Sequence, residues 1–158
     1  MRFPTLSVSG IDGRSLTLPR DFSGRHNIVI VAFAREQLAQ MTSWHLALDE
    51  MRDSLNGVAV YQLFVVPLLP YWYQVAQDVL LRRMVSAQPG ISTFAVRTDL
   101  NEFNRALDIP TVASMYTLLV SAEGEVLWRS QGPCDTTRYV SLKRSIRKVE
   151  PSSVTAVR

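Results

Sequence analysis

Hydrophobic and polar positions follow two different periods along this chain, and together they predict alternating strands and helices. Residues 27–34 are almost all apolar and rich in β-branched side chains, which is typical of a strand buried on both faces. A stripe at helical spacing then predicts a helix over about residues 37–55. The stripe consists of Met41, Trp44, Leu48, Met51 and Leu55. A second apolar run, residues 58–66, predicts another core strand, and a helix between two neighbouring strands indicates a right-handed parallel crossover.

The second half of the chain keeps this alternation. Residues 74–90 predict a helix, and residues 92–99 predict a short strand. Residues 115–132 contain two apolar runs joined at Gly124, which favours a β-hairpin. A basic helix over about residues 136–148 closes the pattern, with Val140, Leu142, Ile146 and Val149 expected to face inward.

This order of elements predicts an α/β domain with a central mixed β-sheet flanked by helices and preceded by an N-terminal β-hairpin around Asp12 and Gly13. The chain has 158 residues, of which 47% are hydrophobic, and this is enough for one hydrophobic core. We therefore expect a single domain over residues 1–150 and a loose C-terminal tail over residues 151–158.

The amino-acid composition limits the kinds of site and segment that the chain can contain. Cys134 is the one cysteine, which excludes an internal disulfide and a cysteine-rich metal site. The longest apolar run is interrupted by prolines and is shorter than the ~20 residues that cross a bilayer. The first residues lack the apolar stretch of a secretory signal. We expect a protein of a soluble compartment, with no cofactor, no metal and no nucleic acid.

Basic residues are concentrated late in the chain, which has a formal net charge of +3 and a pI near 9.4. The late cluster consists of Arg138, Lys143, Arg144, Arg147 and Lys148. Such a cluster can face an acidic partner, an anionic membrane surface or a nucleic acid. The alternative is a solvated helix face without a partner.

Two stretches carry a resemblance to a known fold. The lead-in to the first core strand contributes Phe3, Pro4, Leu6, Leu18, Phe22, Ser23, Gly24 and Arg25, and the hairpin contributes Thr117, Gly124, Arg129 and Gly132. With the order of the elements, these residues make the chain similar to the thioredoxin fold, with the insertions of peroxiredoxin-like and TlpA-like members. The resemblance implies the α/β architecture predicted above.

The positions that carry redox chemistry in that superfamily are different here. The resemblance aligns the Cys-x-x-Cys motif approximately with residues 38–41, including Leu38 and Met41, and it aligns the proline before the hairpin strand with Met115. None of these side chains can form a thiolate, which attack on a disulfide or peroxide requires. We therefore expect a vacated redox position, no catalytic residue and no enzymatic activity.

Further matches resemble the thioredoxin-like assembly factors of mitochondrial ATP synthase and their bacterial relatives. These matches are residues 18–24, the pair Ser43 and Trp44, and the ending with Tyr116, Leu119, Val120, Gly124, Val126, Trp128 and Gly132. The resemblance implies a non-catalytic protein-binding domain, either an assembly factor or chaperone or a permanent subunit of a membrane-associated complex. Its partner would be a hydrophobic subunit of the proton channel. The compartment would be the mitochondrial matrix, after removal of a presequence, or the bacterial cytoplasm, with peripheral proximity to a membrane.

The loop after the second core strand is the candidate partner-binding surface. In α/β folds such loops carry ligand and partner sites, and bracketing prolines lower the entropy cost of ordering them. The candidate residues are Leu68, Leu69, Tyr71, Trp72 and Tyr73, together with Arg35 in the turn after the first core strand. The alternative is that they cover the core or pack in a dimer interface.

Cys134 is the candidate reactive thiol, because the end of the hairpin should return to the vacated redox position. A lone thiol there can be oxidised or form a mixed disulfide. The alternative function is therefore an atypical peroxiredoxin-like protein or a one-cysteine thiol oxidoreductase that uses Cys134. Against it, no His or Lys is adjacent to lower the pKa of the thiol, and Asp135 should raise it, as expected for an inert loop cysteine.

Overall fold

The computed structural model describes residues 1–10, 13–66 and 90–150. Its strands are β1 (Leu6–Gly10), β2 (Ser15–Leu18), β3 (His26–Ala32), β4 (Val58–Val66), β5 (Ile91–Arg97), β6 (Tyr116–Ser121) and β7 (Val126–Gln131). Its helices are α1 (Leu38–Glu50), α2 (Leu100–Ala106) and α3 (Thr136–Val149), and short 3-10 turns flank α1 at Arg35–Gln37 and Arg52–Ser54. Most of the helix predicted over residues 74–90 and the predicted tail, residues 151–158, lie outside the described residues.

The strands of the described part form one mixed sheet in the order β2-β1-β5-β4-β3-β6-β7. β3 pairs in parallel with β4 and antiparallel with β6, while β5 pairs in parallel with β4. The predicted parallel crossover between the first two core strands is confirmed, as are the N-terminal hairpin and the closing hairpin. At the turn of the closing hairpin Gly124 has a φ of +96°, and a Cβ there would lie 2.7 Å from Pro19 Cγ. Only glycine fits this turn without strain.

The central strand β3 separates two hydrophobic clusters, because successive side chains of a strand point to opposite faces. Val29 and Val31 pack with the cluster around Phe94 and Phe103. Ile28 and Ile30 pack on the other face, against α1 and α3. Six of the seven β3 residues are buried, as the continuous apolar run predicts.

Both long helices differ in detail from their predicted form. The helix predicted over residues 37–55 ends at Glu50, and the chain continues as a 3-10 turn, although the stripe from Met41 to Met51 is buried as predicted. In α3, Leu142 and Ile146 face the core, but Val140 is 44% exposed, so its predicted inward position is wrong. At about 100° per residue, Val140 lies well away from the face that Leu142 and Ile146 share.

No helix within the described ranges has the length and apolar character needed to cross a bilayer.

Candidate functional site

The carboxyl end of β3 brings three loops together. β3 ends at Ala32, and its neighbour Val31 pairs with Tyr116, the first residue of β6. Tyr116 in turn pairs with Gln131, the last residue of β7. The loop before β6 and the loop after β7 therefore lie beside the turn that leads from β3 into α1. We call this region the site edge, and it comprises residues 33–37, 110–115 and 132–134.

A buried carboxamide holds two of these loops together. Gln37 lies at the start of α1 and is only 3% exposed. The Phe33 N–H donates to Gln37 Oε1 at 2.8 Å, and Gln37 Nε2 donates to the Val112 carbonyl at 2.8 Å. An amide can accept and donate at once, so this one side chain satisfies a backbone donor and a backbone acceptor on separate loops. It fixes the loop before β6 against the end of β3.

The loop before β6 has further hydrogen bonds of its own. The Tyr116 hydroxyl donates to the Thr111 carbonyl at 2.9 Å, and the Ala113 N–H donates to Thr111 Oγ1 at 3.0 Å. At the tip of this loop the Val112 side chain is 39% exposed, although its carbonyl is held by Gln37. The loop therefore presents an apolar side chain from a fixed backbone.

Two adjacent residues of α1 hold the loop after β7. Trp44 is fully buried, and its Nε1 donates to the Gly132 carbonyl at 2.9 Å. The Cys134 N–H donates to Ser43 Oγ at 2.9 Å. The Gly132 N–H donates to the Met115 carbonyl at 2.9 Å, which ties this loop to the loop before β6 as well. The pair Ser43 and Trp44, noted in the sequence for its resemblance, thus fixes the loop that carries the cysteine.

The thiol of Cys134 lies at the site edge, as predicted, but it is half-buried and packs at the rim of the core beside α1 and α3. Burial raises the pKa of this thiol above its ordinary value, and the negative charge of Asp135 raises it further, while Arg138 acts in the opposite direction. Because the thiolate is the nucleophile, its reactivity at neutral pH is lower than that of an ordinary cysteine.

The residues assigned to the vacated redox position belong largely to the core. Met41 is 1% exposed and Met115 is 0% exposed, and Leu38 is partly buried against the same cluster. The Met115 side chain therefore cannot contact a partner, although its backbone carbonyl lies at the site edge. Arg35 is exposed there. The aromatic loop residues Leu68, Leu69, Tyr71, Trp72 and Tyr73 lie outside the described residues, so their role stays a prediction.

The bridging role of Gln37 was not predicted from the sequence, although residues 35–38 were expected to lie on the contact surface. The signal was present, because Gln37 precedes Met41 by four positions and Trp44 by seven, which places it on the buried stripe of α1. A polar residue on a buried stripe needs hydrogen-bond partners. Those partners are backbone groups that only the folded chain brings within reach.

A second polar cluster, also missed, lies at the opposite end of β3. The Glu150 carboxylate, with its side chain 7% exposed, accepts from Arg25 at 2.9 Å and contacts His26 Nδ1 at 2.6 Å. The hydrogen bond from Arg25 lowers the pKa of Glu150 below its ordinary value, and the contact with His26 adds to this effect, while burial opposes it. We call these three residues the charged cluster.

Comparison with known proteins identifies the fold of the chain but not its function. No protein-family model matches the chain, and no curated protein matches it. A putative electron transport protein from Aquifex aeolicus matches with a TM-score of 0.67 at 12% identity, covering 95% of this chain and 97% of that chain. The thioredoxin domain of a thiol-disulfide oxidoreductase from Bacteroides vulgatus matches with a TM-score of 0.55 at 14% identity, covering 92% and 96%. BsSco, a member of the Sco family of cytochrome c oxidase assembly proteins, matches with a TM-score of 0.60 at 13% identity, covering 93% and 92%.

These likenesses confirm that the chain has a thioredoxin-like fold. They also correct the expectation that it is not an enzyme, because solved structures of the same fold include thiol-disulfide oxidoreductases. The loss of the usual cysteine pair does not overrule that finding, since Cys134 remains at the site edge. A resemblance to ATP-synthase assembly factors is not among these findings. At identities of 12–14% the likenesses concern the fold alone.

Proposed function

We propose that this thioredoxin-like domain binds a protein partner at the site edge. The observation that carries the proposal is the Gln37 carboxamide, which bridges Phe33 and Val112 where redox members of the fold begin their cysteine motif. Two loops are thereby held in one arrangement before any partner arrives. Preorganised loops lose less entropy on binding, so more of the contact energy appears as affinity.

The surface combines an exposed apolar side chain with charged ones, and protein-binding patches also contain both kinds. Val112 projects from the fixed loop, and Arg35 and Glu36 are exposed in the turn after β3. We also keep residues 68–73 as candidate partner-binding residues, on the sequence alone. We propose further that the partner is a hydrophobic subunit of a membrane-associated complex such as ATP synthase, and that the protein acts as an assembly factor in the mitochondrial matrix or the bacterial cytoplasm. The sequence resemblance supports this finer proposal.

Partner capture with a matched pair of variants tests the binding surface. Val112→Asp replaces an exposed apolar side chain of the site edge with a charged one, whereas Leu127→Asp makes the same replacement at an equally exposed position at the far end of the closing hairpin. Wild type and both variants would be used for affinity capture from gently solubilised native extract, with circular dichroism as the check on folding. We expect Val112→Asp to lose the captured partner at least about tenfold and Leu127→Asp to retain it. Equal capture by both variants would refute the proposal.

A second candidate function is thiol-disulfide exchange through Cys134. Its support is the position of this thiol at the site edge, in a fold that oxidoreductases share. In that reaction the Cys134 thiolate attacks a disulfide of a partner protein, forming a mixed disulfide with one partner sulfur and releasing the other as a thiolate. A glutathione thiolate then attacks the mixed disulfide and releases the Cys134 thiolate. The glutathione sulfur remains bonded to the other sulfur in a new disulfide.

Glutathione-coupled reduction of a small disulfide distinguishes this candidate. Under the exchange function the rate rises with pH as the thiol with its raised pKa ionises, and Cys134→Ser abolishes it. Under binding alone the wild type is no faster than Cys134→Ser, while partner capture is the same in both.

A further inference from the structure

The outward face of α3 carries cations that form no ion pair with any carboxylate in the part of the chain that the structure describes. Arg144, Arg147 and Lys148 are exposed, and Val140, about one turn before Arg144, is exposed as well. These positions follow one another at helical spacing on the face opposite Leu142 and Ile146. We call Val140, Arg144, Arg147 and Lys148 the basic face.

The cations of the basic face differ from several other cations of the described ranges in having no ion pair. Within residues 1–10, 13–66 and 90–150, none of its three cations lies within 4.0 Å of a carboxylate oxygen, whereas Arg25, Arg52 and Arg138 each pair with one. The neighbouring Lys143 is engaged with the Tyr139 ring, 5.7 Å from its centre. Three like charges within two turns repel one another, so the structure gives this face a field that an external anion would relieve.

The basic face lies away from the site edge. α3 begins directly after Cys134, beside Ser43, and it ends where Glu150 contacts His26 at the start of β3. The cations occupy the last two turns of α3, at the amino end of β3. A ligand on the basic face therefore leaves the site edge open to a protein partner.

We propose that the basic face docks the protein on the surface of an anionic lipid bilayer. A helix face is convex, and an extended charged plane can approach all three cations at once. Specific protein interfaces need a buried aromatic or apolar anchor, and this face offers only Val140. Binding of single-stranded nucleic acids adds aromatic side chains on which the bases stack, and the exposed positions of α3 carry none.

The expected strength follows from the number of cations. Each Lys or Arg close to an anionic bilayer strengthens binding about fivefold, so three contribute on the order of a hundredfold. The attraction decays over a Debye length of about 10 Å at 0.1 M salt, so the binding should weaken steeply as salt is added. The apolar side of α3 is occupied by the core, so the helix rests on the headgroups without inserting.

Co-sedimentation with vesicles tests this docking. Vesicles of phosphatidylcholine alone are compared with vesicles containing about one third phosphatidylserine, at low and at near-physiological salt. The test variant is Arg144→Gln/Arg147→Gln/Lys148→Gln. The matched control, Arg20→Gln/Arg52→Gln/Arg105→Gln, removes the same charge from exposed positions that lie outside both the basic face and the site edge.

We expect wild type and control to bind the phosphatidylserine vesicles in a salt-sensitive manner, and the test variant to bind on the order of a hundredfold more weakly. Equal binding by the two triple variants would overturn the proposal, because net charge would then be sufficient. Failure of wild type to bind vesicles, together with binding of polyglutamate or duplex DNA through the same three cations, would also overturn it. The partner at the site edge is tested separately by Val112→Asp, so either proposal can fail without the other.

Discussion

The two ends of β3 are held by different kinds of interaction. At the carboxyl end, uncharged side chains bond to backbone groups, as Gln37 does with Phe33 and Val112. At the amino end, the charged cluster joins Glu150 to Arg25 and His26. Hydrogen bonds between neutral groups respond little to pH or salt, whereas an ion pair such as that of Glu150 with Arg25 responds to both. The site edge therefore keeps its geometry over a range of conditions in which the opposite end changes its stability.

The largest effect is expected from Trp44→Ala, which removes the main packing element behind the site edge. Trp44 is fully buried, packs edge to face with Trp128 at 6.0 Å between ring centres, and donates to Gly132. The cavity and the lost hydrogen bond should lower the free energy of unfolding by about 3–5 kcal/mol. Urea unfolding followed by circular dichroism measures this. Trp44→Phe should cost clearly less, and equal losses would mean that the packing is not what holds the loop.

Substitution of Gln37 tests the neutral hydrogen bonds at the carboxyl end of β3, and Gln37→Glu introduces an ionisable group there. Gln37→Ala leaves a buried donor and a buried acceptor without partners, and we expect a cost of about 1–3 kcal/mol that is nearly independent of pH. In Gln37→Glu the carboxylate cannot donate to the Val112 carbonyl, so burial and this contact raise its pKa in the folded state. The variant should be less stable than wild type at neutral pH and recover as the pH falls and the carboxyl is protonated. Equal stability of Gln37→Glu and wild type at neutral pH would contradict the bridge.

Glu150→Gln should remove the pH response of the charged end. The pKa of Glu150 is lowered on folding, so its contribution to stability is present above the pKa of an unfolded glutamate, about 4.3, and is lost as the pH falls through the folded-state pKa. We expect the free energy of unfolding of the variant to be lower than that of wild type by about 1–2 kcal/mol at neutral pH, and the difference to be smaller in acid. This value is small for an ion pair because Arg25 is largely exposed and solvent screens its charge. Urea unfolding at several pH values tests this. A constant difference between the two proteins at all pH values would show that the carboxylate charge is not involved.

The smallest expected effect is that of Ser43→Ala, which removes one neutral bond at the site edge. The Cys134 N–H loses its acceptor, and a single hydrogen bond of this kind contributes about 1 kcal/mol. Because the loop is then held by fewer bonds, the Cys134 thiol should react faster with a thiol-labelling reagent. Thr42→Ala, an exposed neighbour on α1, is the control and should leave the labelling rate unchanged. An unaltered rate in Ser43→Ala would mean that this bond does not limit access to the thiol.

Much of the fold was predictable from the spacing of hydrophobic residues, because that spacing reflects which side chains are buried. The apolar run of β3 indicated a central strand, and the stripe from Met41 to Met51 indicated the buried face of α1. The inward position of Val140 was wrong, because the stripe on α3 is short and its neighbour Tyr139 packs at the rim of the core instead. The length of α1 was overestimated for a related reason, since the stripe continues through a 3-10 turn.

The candidate site was less predictable. The sequence placed Cys134 near the start of α1, but the bonds from Ser43 and Trp44 that hold its loop join residues about ninety positions apart. The charged cluster joins residues separated by 124 and 125 positions. A side chain that bonds to a distant backbone group leaves no periodic trace in the sequence, so only the assembled sheet reveals its partner.

By itself, the sequence determined the alternation of strands and helices and the presence of a single thiol, so that no cysteine pair stands at the start of α1. These follow from hydrophobic period and residue chemistry, which act locally. Only the tertiary structure shows that Gln37 bridges two loops and that Glu150 forms an ion pair with Arg25 at the amino end of β3. It also shows that three cations of α3 have no carboxylate partner within the described residues. These contacts depend on which distant residues the strand order brings within hydrogen-bonding distance. The separation of two residues along the chain does not predict that distance.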